Sequence, residues 1–267
     1  MPEKRFYDYK GIDRLFAPIA KQLTPIFLYL NISANKITIL SGIVGVASAI
    51  LFSTNSKPYV LIGSFGYSVY YLLDYVDGNV ARYNSKSSLS GMFLDLFMSP
   101  IVAISMSAAL YIGGRESALN IGFNNFLTNT TGIIFLLSML ISYARFPIAW
   151  LTIGTNIVHN RFLFQNSTKT EYKYDPRKRP SKKLVKLIIA LFHENFMIFS
   201  LPLIGTIYYF FKIDIRFLYP LCGSLILFPA CIYELYSFVK YDKLREIYYE
   251  IINENEIINP LKTIYLK

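Results

Sequence analysis

The chain has 267 residues, of which 54% are hydrophobic and only 16% charged, and a formal net charge of +10. One or two soluble domains would fit this length, but so apolar a composition instead indicates an all-α, polytopic membrane protein. The positive charge does not indicate nucleic-acid binding, because the aromatic residues lie mostly within apolar runs, as in membrane-interface belts.

The N-terminal segment, residues 1–34, is predicted to carry an amphipathic helix on the membrane surface, with a frayed tail as the alternative. Over residues 8–23 the apolar side chains share one helical side, and the charged ones lie elsewhere. The apolar set is Ile12, Leu15, Phe16, Ile19 and Leu23. Pro18 is expected to bend this helix. No apolar run begins before about residue 26, so we expect no cleaved signal peptide.

Six apolar segments follow and form a predicted transmembrane domain over residues 35–240. They cover about 35–54, 58–82, 88–112, 129–153, 184–211 and 216–240. Each has the roughly 20 residues that are needed to cross a hydrocarbon layer of about 30 Å. In the first segment, Ser41, Gly45 and Ala49 recur at a spacing of four and permit close helix contact.

The second and third segments contain carboxylates, which are costly in a membrane. A charged side chain costs roughly 2.5–3.5 kcal/mol at the centre of a membrane helix, so a cluster of them indicates a ligand. Asp74 and Asp77 are three residues apart and share a helix face. Asp77 and Asp95 each lie about eight residues from the middle of a polar turn at 83–88, which places both about 12 Å deep. We therefore predict that the three carboxylates converge.

The chemistry of this cluster suits a metal-bound diphosphate. Oxygen ligands without nearby His or Cys favour Mg²⁺, Mn²⁺ or Ca²⁺. Gly78 and Gly91 would let a ligand approach the backbone, and Arg82 would offer a fork of donors to phosphate. The residue types together predict a site for a nucleoside diphosphate.

The pattern D-x2-D-G-x2-A-R, followed by G-x3-D-x3-D, resembles the signature of the CDP-alcohol phosphotransferases, also called CDP-alcohol phosphatidyltransferases. This chain supplies Asp74, Asp77, Gly78, Ala81, Arg82, Gly91 and Asp95 in register. At the position of the family's fourth aspartate, a metal ligand and the proposed general base, it has Ser99.

The resemblance implies transfer of a phosphoalcohol group from a CDP-alcohol to the hydroxyl of a lipid or polyol acceptor, with release of CMP. Asp74, Asp77 and Asp95 would be ligands of Mg²⁺ or Mn²⁺, with Ca²⁺ bound but inhibitory. The nucleotide would be held by Gly78, Ala81, Arg82 and Gly91, together with Asn35 and Thr38, which are equally well explained as ordinary helix-start residues. A homodimer is also implied.

Ser99 leaves the catalytic step open. A serine does not readily accept a proton near neutral pH. The proton could leave through water, the acceptor's phosphate, Asp95 or His193. Alternatively, the chain is a catalytically disabled homologue that binds CDP and metal as a partner subunit, or Ser99 is an engineered change that makes the variant inactive.

Ionisable residues in the later segments indicate interior contacts. Arg145 is predicted either to pair with Glu194 or Glu234 or to bind the acceptor's phosphate. His193 could replace the missing base, although it cannot act as one unit with Glu194, because neighbouring side chains on a helix point about 100° apart.

The distribution of bases predicts the orientation. With both termini on one side, that side has 21 Lys and Arg residues in its connections, against four on the other side. The first side is therefore predicted to be cytoplasmic, with the acidic cluster opening onto it, in a bacterial inner membrane or an equivalent membrane. A basic run at 177–179 is expected to contact anionic headgroups. The C-terminal segment, 241–267, contains a second amphipathic pattern at 243–258, which would lie on the membrane or join two subunits.

Overall fold

A computed structural model of the chain describes residues 13–84, 89–143 and 194–240. These residues form seven helices, and no strand occurs within them. The helices are α1 (Asp13–Tyr29), α2 (Ala34–Phe52), α3 (Lys57–Tyr83), α4 (Leu89–Asn120), α5 (Asn125–Tyr143), α6 (Glu194–Phe211) and α7, which joins Leu218–Cys222, a π-helical stretch Gly223–Leu227, and Phe228–Lys240. The predicted all-α class is confirmed for these residues.

Within the described residues, each of the six predicted apolar segments overlaps one of the helices α2 to α7. In the part of the chain that the structure describes, three helices are long and apolar enough to cross a membrane: α2, α4 over Phe93–Asn120, and α5. Shorter apolar stretches lie at Met197–Phe211 in α6 and Leu218–Tyr233 in α7. The chain is therefore an integral membrane protein, and the count of six spans stays a prediction.

Two predicted boundaries are wrong. The third segment was expected to end at about residue 112, but α4 continues to Asn120. Arg115 and Glu116 end the apolar run without ending the helix, because both residue types favour helix. Helix α1 runs six residues past the predicted end at 23, since Phe27 and Leu28 still pack on the protein.

Helix α3 lies at the centre of the packing, with α2, α6 and α1 as its neighbours, and α2 also packs on α4. Small residues allow these close approaches. A Cβ at Gly45 would lie 2.7 Å from Val102 and 3.2 Å from Tyr70, and one at Gly63 would lie 2.6 Å from the backbone of Phe52. The predicted small-residue contact of α2 is thus present.

The alternating helices give the bundle two ends. We call the end with Asp77 the aspartate end: α2 and α4 begin there, and α3 ends there. We call the other the opposite end, where α2 and α4 end and α3 and α5 begin.

Helix α1 covers the aspartate end of α3. Its buried residue Ala20 packs in one cluster with Val76 and Val80 of α3, which are fully buried. Phe65 lies on the same side of α3 as Val76, but nearer the opposite end, and it is exposed because α1 does not reach that far. A second side of α1 exposes apolar residues, namely Leu15, Ile19, Ile26 and, just past its end, Leu30. A helix with one side on protein and another apolar side exposed suits the membrane surface.

A buried arginine closes the opposite end. Arg216 has no exposed surface and forms an ion pair with Asp214 at 2.7 Å. Its guanidinium also donates to the carbonyl oxygens of Phe52 and Thr54, each at 2.7 Å. Because the last carbonyls of a helix lack partners within the helix, Arg216 caps α2. From the sequence alone, Arg216 is only one of the four bases in the connections opposite the predicted cytoplasmic side.

Candidate functional site

The carboxylates of α3 continue the side of the helix that faces the bundle interior. Tyr67 and Tyr70 are almost fully buried, and at 100° per residue Asp74 and Ala81 fall on the same side. All the motif positions of α3 that precede Arg82 are half-buried, and Arg82 is exposed. The interior side of α3 thus changes from large aromatic residues to small and acidic ones towards the aspartate end.

Asp95 lies on the interior side of α4 and is nevertheless exposed. Phe93 and Phe97 stack at 5.9 Å on the outward side of the helix. Measured around the axis of α4, Asp95 lies about 160° from both phenylalanines. It shares its side of the helix with Val102 and Met106, which are fully buried. An exposed carboxylate on a side that is otherwise buried indicates an open cleft between the helices at the aspartate end.

Thr38 of α2 orients one of these carboxylates. Its hydroxyl lies 2.6 Å from Oδ2 of Asp77 and 3.1 Å from the carbonyl oxygen of Ala34, so the shorter bond goes to the charged acceptor. Thr38 is only 4% exposed. Its hydroxyl therefore contacts the carboxylate, and little of the side chain is left to line a ligand site.

Arg82 folds back along α3. One guanidinium nitrogen donates to Oδ1 of Asn79 at 2.8 Å. A Cβ added to Gly78 would lie 3.3 Å from the same guanidinium. The charge of Arg82 also acts on Asp77. The absence of a side chain at Gly78 thus gives the guanidinium room beside the carboxylates.

Asp77 and Asp95 face each other closely enough for their charges to interact. Ser99, one turn beyond Asp95 on α4, hydrogen-bonds to the Asp95 side chain. Within the described ranges, no three His, Cys, Asp or Glu side chains are close enough together to hold a metal ion. The charges of Asp77 and Asp95 therefore interact, and the convergence of all three carboxylates on one metal stays a prediction.

The cleft has a packed floor. A Cβ at Gly42 would lie 2.9 Å from the sulfur of Met98, and Gly45 packs on Val102 and Tyr70. Beyond this level Tyr67, Met106 and Leu110 are fully buried. The cleft is thus closed on its inner side, which fits a binding site better than a path through the membrane.

The other predicted site residues are placed only in part. Asn35 and Gly91 are half-buried in the first turns of α2 and α4. Glu194 begins α6. Arg145, His193 and the predicted features at 155–183 and 243–258 lie outside the described residues, as do the side chains of Glu194 and Glu234.

The sequence did not predict the bond between Thr38 and Asp77, because it left Thr38 either as a nucleotide contact or as an ordinary helix-start residue. The positions of the two residues along their helices are the signal that indicates this contact. Thr38 lies four residues into α2, and Asp77 lies six residues before the end of α3, so both are roughly 6–9 Å from the same end of the bundle.

A protein-family model matches the part of the chain that contains these aspartates. No curated protein matches the chain significantly. The family model described as CDP-alcohol phosphatidyltransferase matches residues 31–208, which include α2, α3, α4, α5 and all the aspartates of the cleft. Since that match covers about two-thirds of the 267 residues, the chain belongs to the CDP-alcohol phosphatidyltransferase family.

Proposed function

We propose that this chain catalyses metal-dependent transfer of a phosphoalcohol group from a CDP-alcohol to an acceptor hydroxyl, with release of CMP. Membership of the family supports the transferase class and its part in lipid synthesis. The single observation that carries the proposal is that Asp77, which accepts a hydrogen bond from Thr38, lies near enough to the exposed Asp95 for the two charges to interact.

The donor set of the cleft fits a hard divalent ion. Members of the family use divalent metals. Mg²⁺ is usually bound by one or two carboxylates plus waters and substrate phosphates, so an incomplete protein cage suits a metal that arrives with a diphosphate. Asp74, Asp77 and Asp95 would hold it. Such an ion polarises the phosphoryl oxygens and stabilises the charge on the leaving phosphate.

The other residues of the cleft would bind and orient the nucleotide. Arg82 would turn from Asn79 to a phosphate oxygen, a stronger acceptor for its charged N–H groups. Gly78, Ala81 and Gly91 would leave the backbone accessible to the ligand. Asn35 would contribute from the first turn of α2.

Ser99 limits the rate under this proposal. General-base help is typically worth roughly 10² to 10⁴ in rate, so transfer without it is slow but measurable. Ser99 hydrogen-bonds to Asp95 and would keep that carboxylate in place. Asp95 or His193 would then receive the acceptor's proton, directly or through water.

The same contact favours a second candidate function. A site in which Ser99 hydrogen-bonds to Asp95 could still bind the nucleotide and metal, but it would lack the base that turnover needs. The chain would then be a disabled CDP-binding homologue acting as a partner subunit.

An assay of CMP release separates the two functions. The purified chain is incubated with Mg²⁺ or Mn²⁺, a panel of CDP-alcohols, and lipid or polyol acceptors. If a metal chelator and the substitution Asp77→Asn each abolish the release of CMP, the result supports transfer. Metal-dependent CDP binding without release supports the second function.

Substitution at Ser99 sharpens the assay. Ser99→Asp is expected to raise CMP release at least tenfold, since it restores a proton acceptor. Ser99→Asn, which matches aspartate in size but does not accept a proton, is the control. Equal release by both variants would contradict a missing-base explanation.

The proposal extends to the arrangement in the membrane. The chain would cross six times, with the cleft facing the cytoplasm. Arg145 and Glu194 would contact the acceptor. The homodimer stays a prediction from the family resemblance.

A further inference from the structure

A second polar cavity lies at the opposite end of the bundle, far from the aspartates. It has a volume of about 660 Å³ and lies where α2 and α4 end and α5 begins. Its polar lining consists of Ser53, Asn55, Tyr111, Arg115, Glu116 and Asn129. Neither the family signature nor the proposed transfer uses these residues.

Hydrogen bonds hold the polar wall of this cavity in place. Asn55 accepts from the buried Arg216 at 3.4 Å and donates to Oε2 of Glu116 at 2.7 Å. Tyr111 donates to Oδ1 of Asn129 at 2.8 Å. The wall is thus tied to the Arg216 cap, so a ligand would meet a site that is already formed.

The cavity offers adjacent charges of opposite sign. Arg115 donates to Oδ1 of Asn125 at 3.2 Å, which uses one of its five N–H donors. Glu116 follows it on α4 and accepts from Asn55, with lone pairs remaining on its carboxylate. An anion beside Arg115 and a cation beside Glu116 could therefore be bound together.

The membrane-facing side of the cavity is apolar. Ile112 and Ile133 line it and are 58% and 56% exposed. Ile112 lies on the outward side of α4, within about 100° of the exposed Phe93 and Phe97. A ligand that fills the cavity would thus have a charged part among the helix ends and an apolar part along α4 and α5.

We propose that this cavity binds one phospholipid with a zwitterionic headgroup, from the leaflet at the opposite end. Its phosphate pairs with Arg115, its ammonium group pairs with Glu116, and an acyl chain lies along Ile112 and Ile133. Charge complementarity selects the headgroup, and the exposed isoleucines select a lipid over a soluble phosphate ester.

Native mass spectrometry of the full chain in detergent tests this site. Phosphatidylethanolamine is titrated against wild type, Arg115→Gln and Glu116→Gln. We expect about fivefold weaker binding for each variant, as for loss of one partly exposed ion pair. Lys212→Gln is the matched control, because it removes an exposed cation at the same end outside the cavity.

A second lipid tests the headgroup. Phosphatidylglycerol lacks the ammonium group, so wild type should bind it more weakly than phosphatidylethanolamine, and Glu116→Gln should remove the difference. Unchanged binding in Arg115→Gln, or equal losses in Arg115→Gln and Lys212→Gln, would overturn the proposal.

A measurement on the wild-type chain tests the site without substitutions, so it does not depend on whether the variants fold. Phosphatidylethanolamine with a photoreactive acyl chain is crosslinked to the chain in bilayers, and the adducts are mapped by peptide. We expect adducts on peptides that contain Ile112 or Ile133. Adducts confined to the aspartate end would show that the lipid binds at the acceptor site only, and would refute this second site.

Discussion

At the scale of single residues, the hydrogen bond from Thr38 to Asp77 links α2 to the candidate metal ligands. The bond is short and its acceptor is charged, and hydrogen bonds to charged groups contribute about 1.5–3 kcal/mol. Without the hydroxyl, Asp77 would retain its charge but lose the contact that fixes its orientation. A ligand carboxylate needs such support to present its oxygens to a metal.

We therefore expect Thr38→Val to lower kcat/KM for CMP release about tenfold and to raise the metal concentration needed for half-maximal rate. Thr38→Ser should restore most of both. The measurement is a metal titration of CMP release at fixed CDP-alcohol.

The matched control is Thr128→Val, since Thr128 is also fully buried but donates to the backbone carbonyl of Asn124 at 2.9 Å, at the opposite end. If both valine variants show the same metal dependence, the Thr38 hydroxyl does not act through Asp77.

Arg216 is a single residue that stabilises the fold rather than the site. Its removal would leave the buried Asp214 carboxylate and the carbonyls of Phe52 and Thr54 without their donor. Breaking a buried ion pair from one side costs about 3–5 kcal/mol. We expect Arg216→Gln to lower the thermal stability of the purified chain markedly, measured as the temperature at which half of it leaves the monodisperse gel-filtration peak.

Lys212→Gln, at an exposed position of the same connection, should leave that temperature nearly unchanged. An equally stable Arg216→Gln would show that the network is not needed for folding.

At the scale of elements, α1 is the helix that connects the membrane surface to the site. It packs on α3 around Val76 and Val80, the residues that flank Asp77 and Asn79 along the chain. The position of α3 relative to α2, and with it the Thr38 contact, thus depends in part on α1.

Substitutions at two neighbouring positions of α1, Ile19 and Ala20, test whether α1 positions α3. Ala20 has no exposed surface, so Ala20→Trp should overpack the contact with α3, at a cost of about 1–3 kcal/mol or more, and lower CMP release. Ile19 is 48% exposed, so Ile19→Trp, a similar aromatic residue one position earlier, should be tolerated. Equal activity of the two variants, measured in membranes, would mean that α1 does not position the site.

At the scale of the whole molecule, helix positions could be predicted from the sequence because apolar length and periodicity are local. The motif spacing also predicts similar depths for Asp77 and Asp95, and in the structure the charges of these two carboxylates interact. The contacts that orient the site were not predictable in this way. The bond between Arg216 and Thr54 joins residues 162 positions apart, and nothing local to either residue specifies the other.

The end of α4 shows a different limit. A hydropathy pattern ends where polar residues begin, but the helix itself ends eight residues later, at Asn120. Those extra turns carry Arg115 and Glu116 and so build the cavity at the opposite end. From the sequence alone, Arg115 is only another of the four bases opposite the predicted cytoplasmic side.

Orientation is the property of the whole molecule that decides which substrates reach the cleft. The excess of bases in the connections at the aspartate end predicts that this end is cytoplasmic. Asn84, which caps α3, and Asn120, the last residue of α4, are both exposed and lie at the two ends. In a background without Cys222 and Cys231, we expect Asn120→Cys to react with a membrane-impermeant maleimide in intact cells. Asn84→Cys should react only after permeabilisation, and the reverse pattern would place the cleft where cytoplasmic CDP-alcohols do not reach it.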